Sequence, residues 1–108
     1  MANVAEGVEE KLRAFVEERD WAQFHSAENL AKSISIEAGE LLECFQWSGD
    51  AERDRVLDEL ADVMTYCHLL AQRLEVNPSA IILEKLEQTR QKYPVEKARG
   101  RSAKHEQL

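Results

Sequence analysis

The sequence predicts an all-α fold: a four-helix bundle in a single domain that forms oligomers. Three observations predict it. Apolar residues recur at the three- and four-residue spacing of one helix face along most of the chain. Only four Gly and two Pro are present, so the chain has few breaks and favours a few long helices. A hydrophobic content of 44% beside 32% charged residues suits a folded chain, and 108 residues leave room for one modest core.

The first helix is expected from about Asn3 to Glu18, with Val4, Val8, Leu12, Phe15 and Val16 as its apolar stripe. Next comes Arg19-Asp20-Trp21-Ala22-Gln23-Phe24-His25, too short and mixed for a strand and followed by a good N-cap, Ser26. Its two aromatics and its His either plug the end of the bundle or wall a pocket for a flat ring. The second helix is expected over Ala27–Trp47, with Leu30, Ile34, Ala38, Leu41 and Phe45 on one arc. Ser48-Gly49-Asp50 ends it.

The third helix is expected over Ala51–Glu75, with Val56, Leu60, Val63, Met64, Cys67, Ala71 and Leu74 as its core stripe. Leu69 and Leu70 fall on the flank that holds Tyr66, which is more apolar surface than one helix pair covers and implies a partner subunit. Asn77-Pro78 stops this helix and starts the fourth, with Asn as N-cap and Pro at the first helical position. The fourth runs through Ile81, Ile82 and Leu86 to about Lys92, where Tyr93-Pro94 closes it. Residues 1–94 thus form the helical domain, and 95–108 a basic tail, extended or disordered.

Charge and composition narrow the function classes. A net charge of −7 argues against binding nucleic-acid polymers, which need a basic face. Residues 85–108 hold seven Lys/Arg against three acids, a net of +4, which leaves −11 on the rest. An acidic body with a basic end can grip a phosphorylated small molecule from two sides, although a solvated tail accounts for 95–108 equally well. No run approaches the roughly 18 apolar residues of a membrane span. The acidic start, Met1 to Glu10, does not look like a signal peptide, so the expected location is the cytoplasm. Cys44 and Cys67 lack metal-ligand spacing and read as buried reduced thiols.

Chemistry concentrates in two acidic pairs, Glu37-Ala-Gly-Glu40 and Glu59-Leu-Ala-Asp62. Acids three residues apart point to one side of a helix. The spacing itself is common here, recurring at Glu6/Glu9, Glu17/Asp20, Glu40/Glu43 and Glu84/Glu87, which read as solvated faces. The first two pairs differ because they border apolar stripes on consecutive helices. An antiparallel turn near Gly49 sets residue 40 level with 59 and residue 37 level with 62. Four converging carboxylates repel one another unless protonated or bridged by a cation. No His follows a Glu at the third position, as the di-iron bundle would need, and no zinc motif or Walker loop is present. All-carboxylate ligation favours Mg2+, with Mn2+ as a substitute, and a phosphate ester as the substance acted on.

These words resemble the signature of the all-α MazG-like nucleoside triphosphate pyrophosphohydrolases, and the surrounding text is similar to their dCTP pyrophosphatase branch. The matching words are Glu18-Arg-Asp-Trp-x-Gln-Phe-His25, Glu37-x-Gly-Glu-Leu41, Phe45-Gln-Trp47, Glu59-Leu-x-Asp-Val63 and Arg90-Gln-x-Tyr-Pro94, in order through about residues 15–100. The resemblance implies a Mg2+-dependent hydrolase that cuts between the α- and β-phosphates of dCTP or a related or modified deoxynucleotide, a house-cleaning task on the nucleotide pool. It implies that Glu37, Glu40, Glu59 and Asp62 hold metal and carry the catalysis. Trp21, His25 and Trp47 would shape the base pocket, with Tyr66 near the sugar and base. Lys85, Arg90, Lys92 and Tyr93 would meet the phosphates. It also implies a homodimer or a homotetramer built as a dimer of dimers. Two departures bear on the preferred base: Thr89 stands where close relatives often carry Asn, and Leu12 where animal dCTP enzymes carry His. The competing reading from another class is a non-enzymatic helical oligomerisation or interaction module.

Overall fold

The computed structural model describes residues 4–47 and 49–108, with side chains from Gly7 onward. Asn3, expected to begin the first helix, the Val4 side chain of its stripe, and Ser48 in the second stop signal lie outside what is described. The regular elements among the described residues are all helical, in the order α1 (Val4–Glu18), a 3-10 turn (Ala22–Phe24), α2 (Ala27–Glu43), α3 (Arg53–Arg73), α4 (Pro78–Lys92), α5 (Val95–Ala98) and a 3-10 turn (His105–Gln107). None of these helices is long and apolar enough to cross a membrane. The chain divides into two compact units, Met1–Glu75 and Val76–Leu108.

In the first unit, α3 packs against both α1 and α2. Helix α2 starts where its sequence says: the Ser26 hydroxyl accepts a hydrogen bond from the Asn29 N–H at 3.1 Å, and Asn29 Nδ2 donates to the Phe24 carbonyl at 3.1 Å. The turn before it passes through Asp20 in the left-handed region, φ 52°. Gln23 Nε2 steadies that turn by donating to both the Asp20 carbonyl, at 3.0 Å, and its side chain, at 3.1 Å.

The core is small. Val16 from α1, Leu30 from α2 and Leu69 from α3 form its centre, with Leu12, Tyr66 and Leu70 packed partly buried around them. Leu30 is 1% exposed. A second tie between α1 and α3 is polar: Glu9 Oε1 meets His68 Nδ1, and Gln72 Nε2 donates to Glu9 Oε2 and to its carbonyl, both at 3.0 Å.

Three expectations are corrected. Helix α2 ends at Glu43 rather than Trp47, because residues 44–47 leave the helix in turns bonded to the third residue back (Cys44 N–H to Leu41, Phe45 N–H to Leu42, Gln46 N–H to Glu43). The buried side of α3 is the Tyr66, Leu69 and Leu70 flank. Of the stripe assigned to the core, only Ala71 is buried, while Met64, Cys67 and Leu74 are exposed. Packing against two neighbours rotates the buried face away from the arc that periodicity alone selects. Accordingly, Cys67 is an exposed free thiol and Cys44 a half-buried one.

The second unit is organised by α4. The Asn77 side chain caps it by accepting from the Ala80 N–H at 3.1 Å, with Pro78 at its start. Arg90 and Lys92 occupy its last turn, where cations suit the negative end of the helix. The segment expected to be extended or disordered instead opens with the single turn α5, whose Lys97 and Ala98 N–H groups bond the Pro94 carbonyl. Gly100, at φ 72°, takes the chain out of it.

Candidate metal centre

Antiparallel pairing of α2 with α3 builds the acidic site. Leu30 shares the core with Leu69. Ten residues further along α2, Glu40 meets Glu59, which lies ten residues earlier on α3. At ~1.5 Å per residue, the acids stand ~10–15 Å along the hairpin from the core.

One carboxylate oxygen from each of Glu37, Glu40 and Glu59 lies within 4.8 Å of the others. Glu40 is exposed, whereas Glu37 and Glu59 are half-buried. Their Oε2 atoms are sealed from solvent with no hydrogen-bond partner. The crowding pushes both carboxyls above their ordinary range. For Glu37 the first cause is a hydrogen bond shared with Glu40, available only when one of the two is protonated. Desolvation and the charges of Glu40, Asp62 and Glu59 follow. For Glu59 desolvation comes first, then the charge and shared hydrogen bond of Glu40 and the charge of Asp62, with Arg55 pulling the other way.

Asp62 thus acts on both inner acids through its charge, but it is exposed and stands outside the three-residue group. Buried carboxylate oxygens with no donor facing them are costly unless a cation neutralises them. The residues present therefore fit a hard divalent ion, which takes oxygen ligands.

The aromatic candidates are spread out. Trp47 is 89% exposed in the turn that follows α2. Tyr66 packs against the core on the same flank of α3 as the acids. Trp21 stands edge-on to Phe15, ring centroids 5.4 Å apart at 79°, and the Arg19 guanidinium lies 3.8 Å from the Phe15 centroid. His25 lines an open cleft of about 270 Å³ with Arg13, Val16, Leu69 and Arg73, and none of the four acids lines it. His25 precedes α2, and from the start of that helix at Ala27 to Glu37 is ten positions, ~15 Å along the axis. Within one chain, then, the structure brings the acids together and leaves His25 apart from them.

The remaining candidates belong to the second unit. Lys85, Arg90 and Lys92 are exposed, and Arg90 pairs with Glu87 at 3.2 Å on its own helix. Tyr93 is half-buried and edge-on to His105, centroids 5.9 Å apart. The Thr89 hydroxyl bonds the Lys85 carbonyl at 3.0 Å. One group missed from the sequence is Arg55, the cation acting on Glu59. The signal for it was present, because it precedes Glu59 by one helical turn.

Comparison with known proteins adds a family and a fold. The MazG-like family model matches residues 32–108. The chain is 39% identical over 104 residues to dCTP pyrophosphatase 1 of Rattus norvegicus and 38% identical to that of Homo sapiens, covering 87% of this chain in each case. It spans 61% of the length of these curated relatives. A crystal structure of a pyrophosphatase from Archaeoglobus fulgidus is similar at a TM-score of 0.76 and 36% identity, over 87% of this chain and 95% of that one.

Proposed function

The chain belongs to the MazG-like family, and on that premise we propose that it is a Mg2+-dependent nucleoside triphosphate pyrophosphohydrolase. Its substrate is dCTP or a related or modified deoxynucleotide, as the names of the relatives suggest. The observation that carries the reading is the convergence of Glu37, Glu40 and Glu59, with two sealed oxygens that no donor satisfies. Glu37, Glu40 and Glu59 would hold the ion, with Asp62 adding its charge from the rim. Mg2+ bound there supplies charge neutralisation for the phosphates and a water of lowered pKa.

Water attacks the α-phosphorus, an O–P bond forms, and the bridging bond to the β-phosphate breaks. The products are a nucleoside monophosphate and pyrophosphate, which leaves with the bonding electron pair. One carboxylate of the cluster takes the proton of the attacking water. The exposed indole of Trp47 offers a stacking face for the base, and Tyr66 stands on the acidic flank for the sugar. Lys85, Arg90, Lys92 and Tyr93 are assigned to the phosphate tail.

Assembly belongs to the same proposal. Trp21 and His25 serve the site of a neighbouring copy in a homodimer or homotetramer, a reading supported by the separation of His25 from the acids. The exposure of Ile36, Leu42 and Met64 beside the acidic pairs supports it too.

A pyrophosphate-release assay across nucleoside triphosphates, with and without Mg2+, tests the function. Glu40→Gln and Asp62→Asn are expected to abolish Mg2+-dependent release while helical content is kept. Near-normal turnover in either variant would remove that residue from the site. The interaction-module reading requires no turnover and no Mg2+-linked stabilisation in the parent protein.

A further inference from the structure

The acidic cluster poses a problem for the substrate assigned to it. A nucleoside triphosphate brings several negative charges to a place where four carboxylates already stand. The basic candidates from the sequence, Lys85, Arg90 and Lys92, all lie in the second unit. Within the first unit, Arg55 stands one helical turn before Glu59 on α3.

Its placement fits a partner for anions. At ~100° per residue, Arg55 sits ~40° round α3 from Glu59 and ~20° from Asp62. It therefore shares their flank, one turn nearer the start of the helix. Glu52 and Asp58, three residues to either side, could have claimed its guanidinium. Among the described residues Arg55 makes no ion pair or hydrogen bond, whereas Arg90 pairs with Glu87 at this spacing. It is exposed, so its planar fork of donors is free to meet a ligand approaching from solvent.

We propose that Arg55 is a substrate-binding residue that grips the phosphate chain of the nucleotide at the mouth of the Glu37–Glu40–Glu59 cluster. The inference rests on the pyrophosphohydrolase reading and adds to it the cation that this unit supplies. The guanidinium binds two phosphate oxygens side by side, one helical turn along the same flank from Glu59. A purely structural Arg55 would screen the acids and nothing more. Pyrophosphate separates the two roles: loss of a cation beside the acids leaves Mg2+ binding unchanged or tighter in either case, whereas only loss of a phosphate ligand weakens pyrophosphate binding.

The experiment compares the full-length parent protein with Arg55→Gln and Arg55→Lys. Mg2+ alone is titrated by thermal shift, and pyrophosphate by calorimetry at saturating Mg2+. Arg55→Gln is expected to bind pyrophosphate about tenfold to a hundredfold more weakly, the loss typical of a hydrogen bond to a charged group. Its Mg2+ midpoint should be unchanged or lower. Arg55→Lys, which keeps the charge and guards against loss of fold, should recover only part of the affinity, because it restores a point charge without the fork. Pyrophosphate affinity within about twofold of the parent in Arg55→Gln, whatever the Mg2+ midpoint, would show that Arg55 does not hold the phosphates, and would overturn the proposal. A parent that binds neither Mg2+ nor pyrophosphate overturns the functional reading itself, and the Arg55 assignment with it.

Discussion

Leu30→Ala is the perturbation whose cost the structure fixes most directly. Leu30 is 1% exposed and is the residue through which α2 reaches the Val16–Leu69 centre. Truncation removes three carbons from a site that its neighbours fill from three helices. Comparable truncations cost ~2.7–5 kcal/mol, rising with the cavity that remains. Here Leu12, Tyr66 and Leu70 are only partly buried and can relax into the space, which places the expected loss near the lower bound, ~3 kcal/mol. For a chain of this size each kcal/mol moves Tm by ~4–8 °C, so the expected fall is ~12–24 °C. Circular dichroism at 222 nm, followed through thermal unfolding at a fixed protein concentration, reads it. A loss below ~1 kcal/mol is the range of an ordinary surface change. That result would mean α2 is not held to α3 through this cluster, and the registration of Glu40 against Glu59 would lose its physical basis.

Other expectations are separable from this one. Burial works against the charge of Glu9, but the hydrogen bonds from Gln72 and then His68 outweigh it and hold the carboxyl below its ordinary 4.5. Stability from this group is therefore present above pH 4.5 and lost as pH falls through the lower folded-state value, and Glu9→Gln should flatten the acid limb of Tm against pH. An unaltered acid limb would assign the loss to other groups. Phe15→Leu removes the edge contact with Trp21 and the seat of the Arg19 guanidinium, and should cost ~1 kcal/mol with loss of near-ultraviolet tryptophan signal. A preserved signal would mean that Trp21 is oriented by something else. Ile36→Ser with Leu42→Ser, at residues 62% and 70% exposed in the single chain, should move sedimentation toward the monomer if copies cover this face as proposed. Unchanged sedimentation would shift the interface elsewhere.

The sequence was most informative where a single side chain decides a backbone event. Ser26 and Asn77 each cap a helix through their own oxygen, so α2 and α4 begin at the expected residues. It was least informative where two neighbours compete for one helix. Leu69 and Tyr66 on α3 lie on one flank and Met64 and Leu74 on another, both apolar, and only the positions of α1 and α2 decide which is buried. The end of α2 was overrun for a related reason: Phe45 continues the apolar arc after the backbone has left the helix. The acids converged because register needs only a short connection and two core leucines, and spacing supplies those. The sealing of Glu37 Oε2 and Glu59 Oε2 needed coordinates, as did the isolation of His25 in its own cleft.

The α2–α3 hairpin is fastened at one end and loaded at the other. Around Leu30 and Leu69 it is closed by apolar packing, while ~10–15 Å away Glu37, Glu40 and Glu59 push the same two helices apart. Local stability therefore forms a gradient along the pair, and backbone amides near the acids should open to hydrogen exchange well before those near the leucines. A cation held between the carboxylates converts the repelling end into a second fastening. Metal occupancy would then be read across the whole hairpin as a levelling of that gradient, with the leucine end barely changed and the acidic end drawn up toward it.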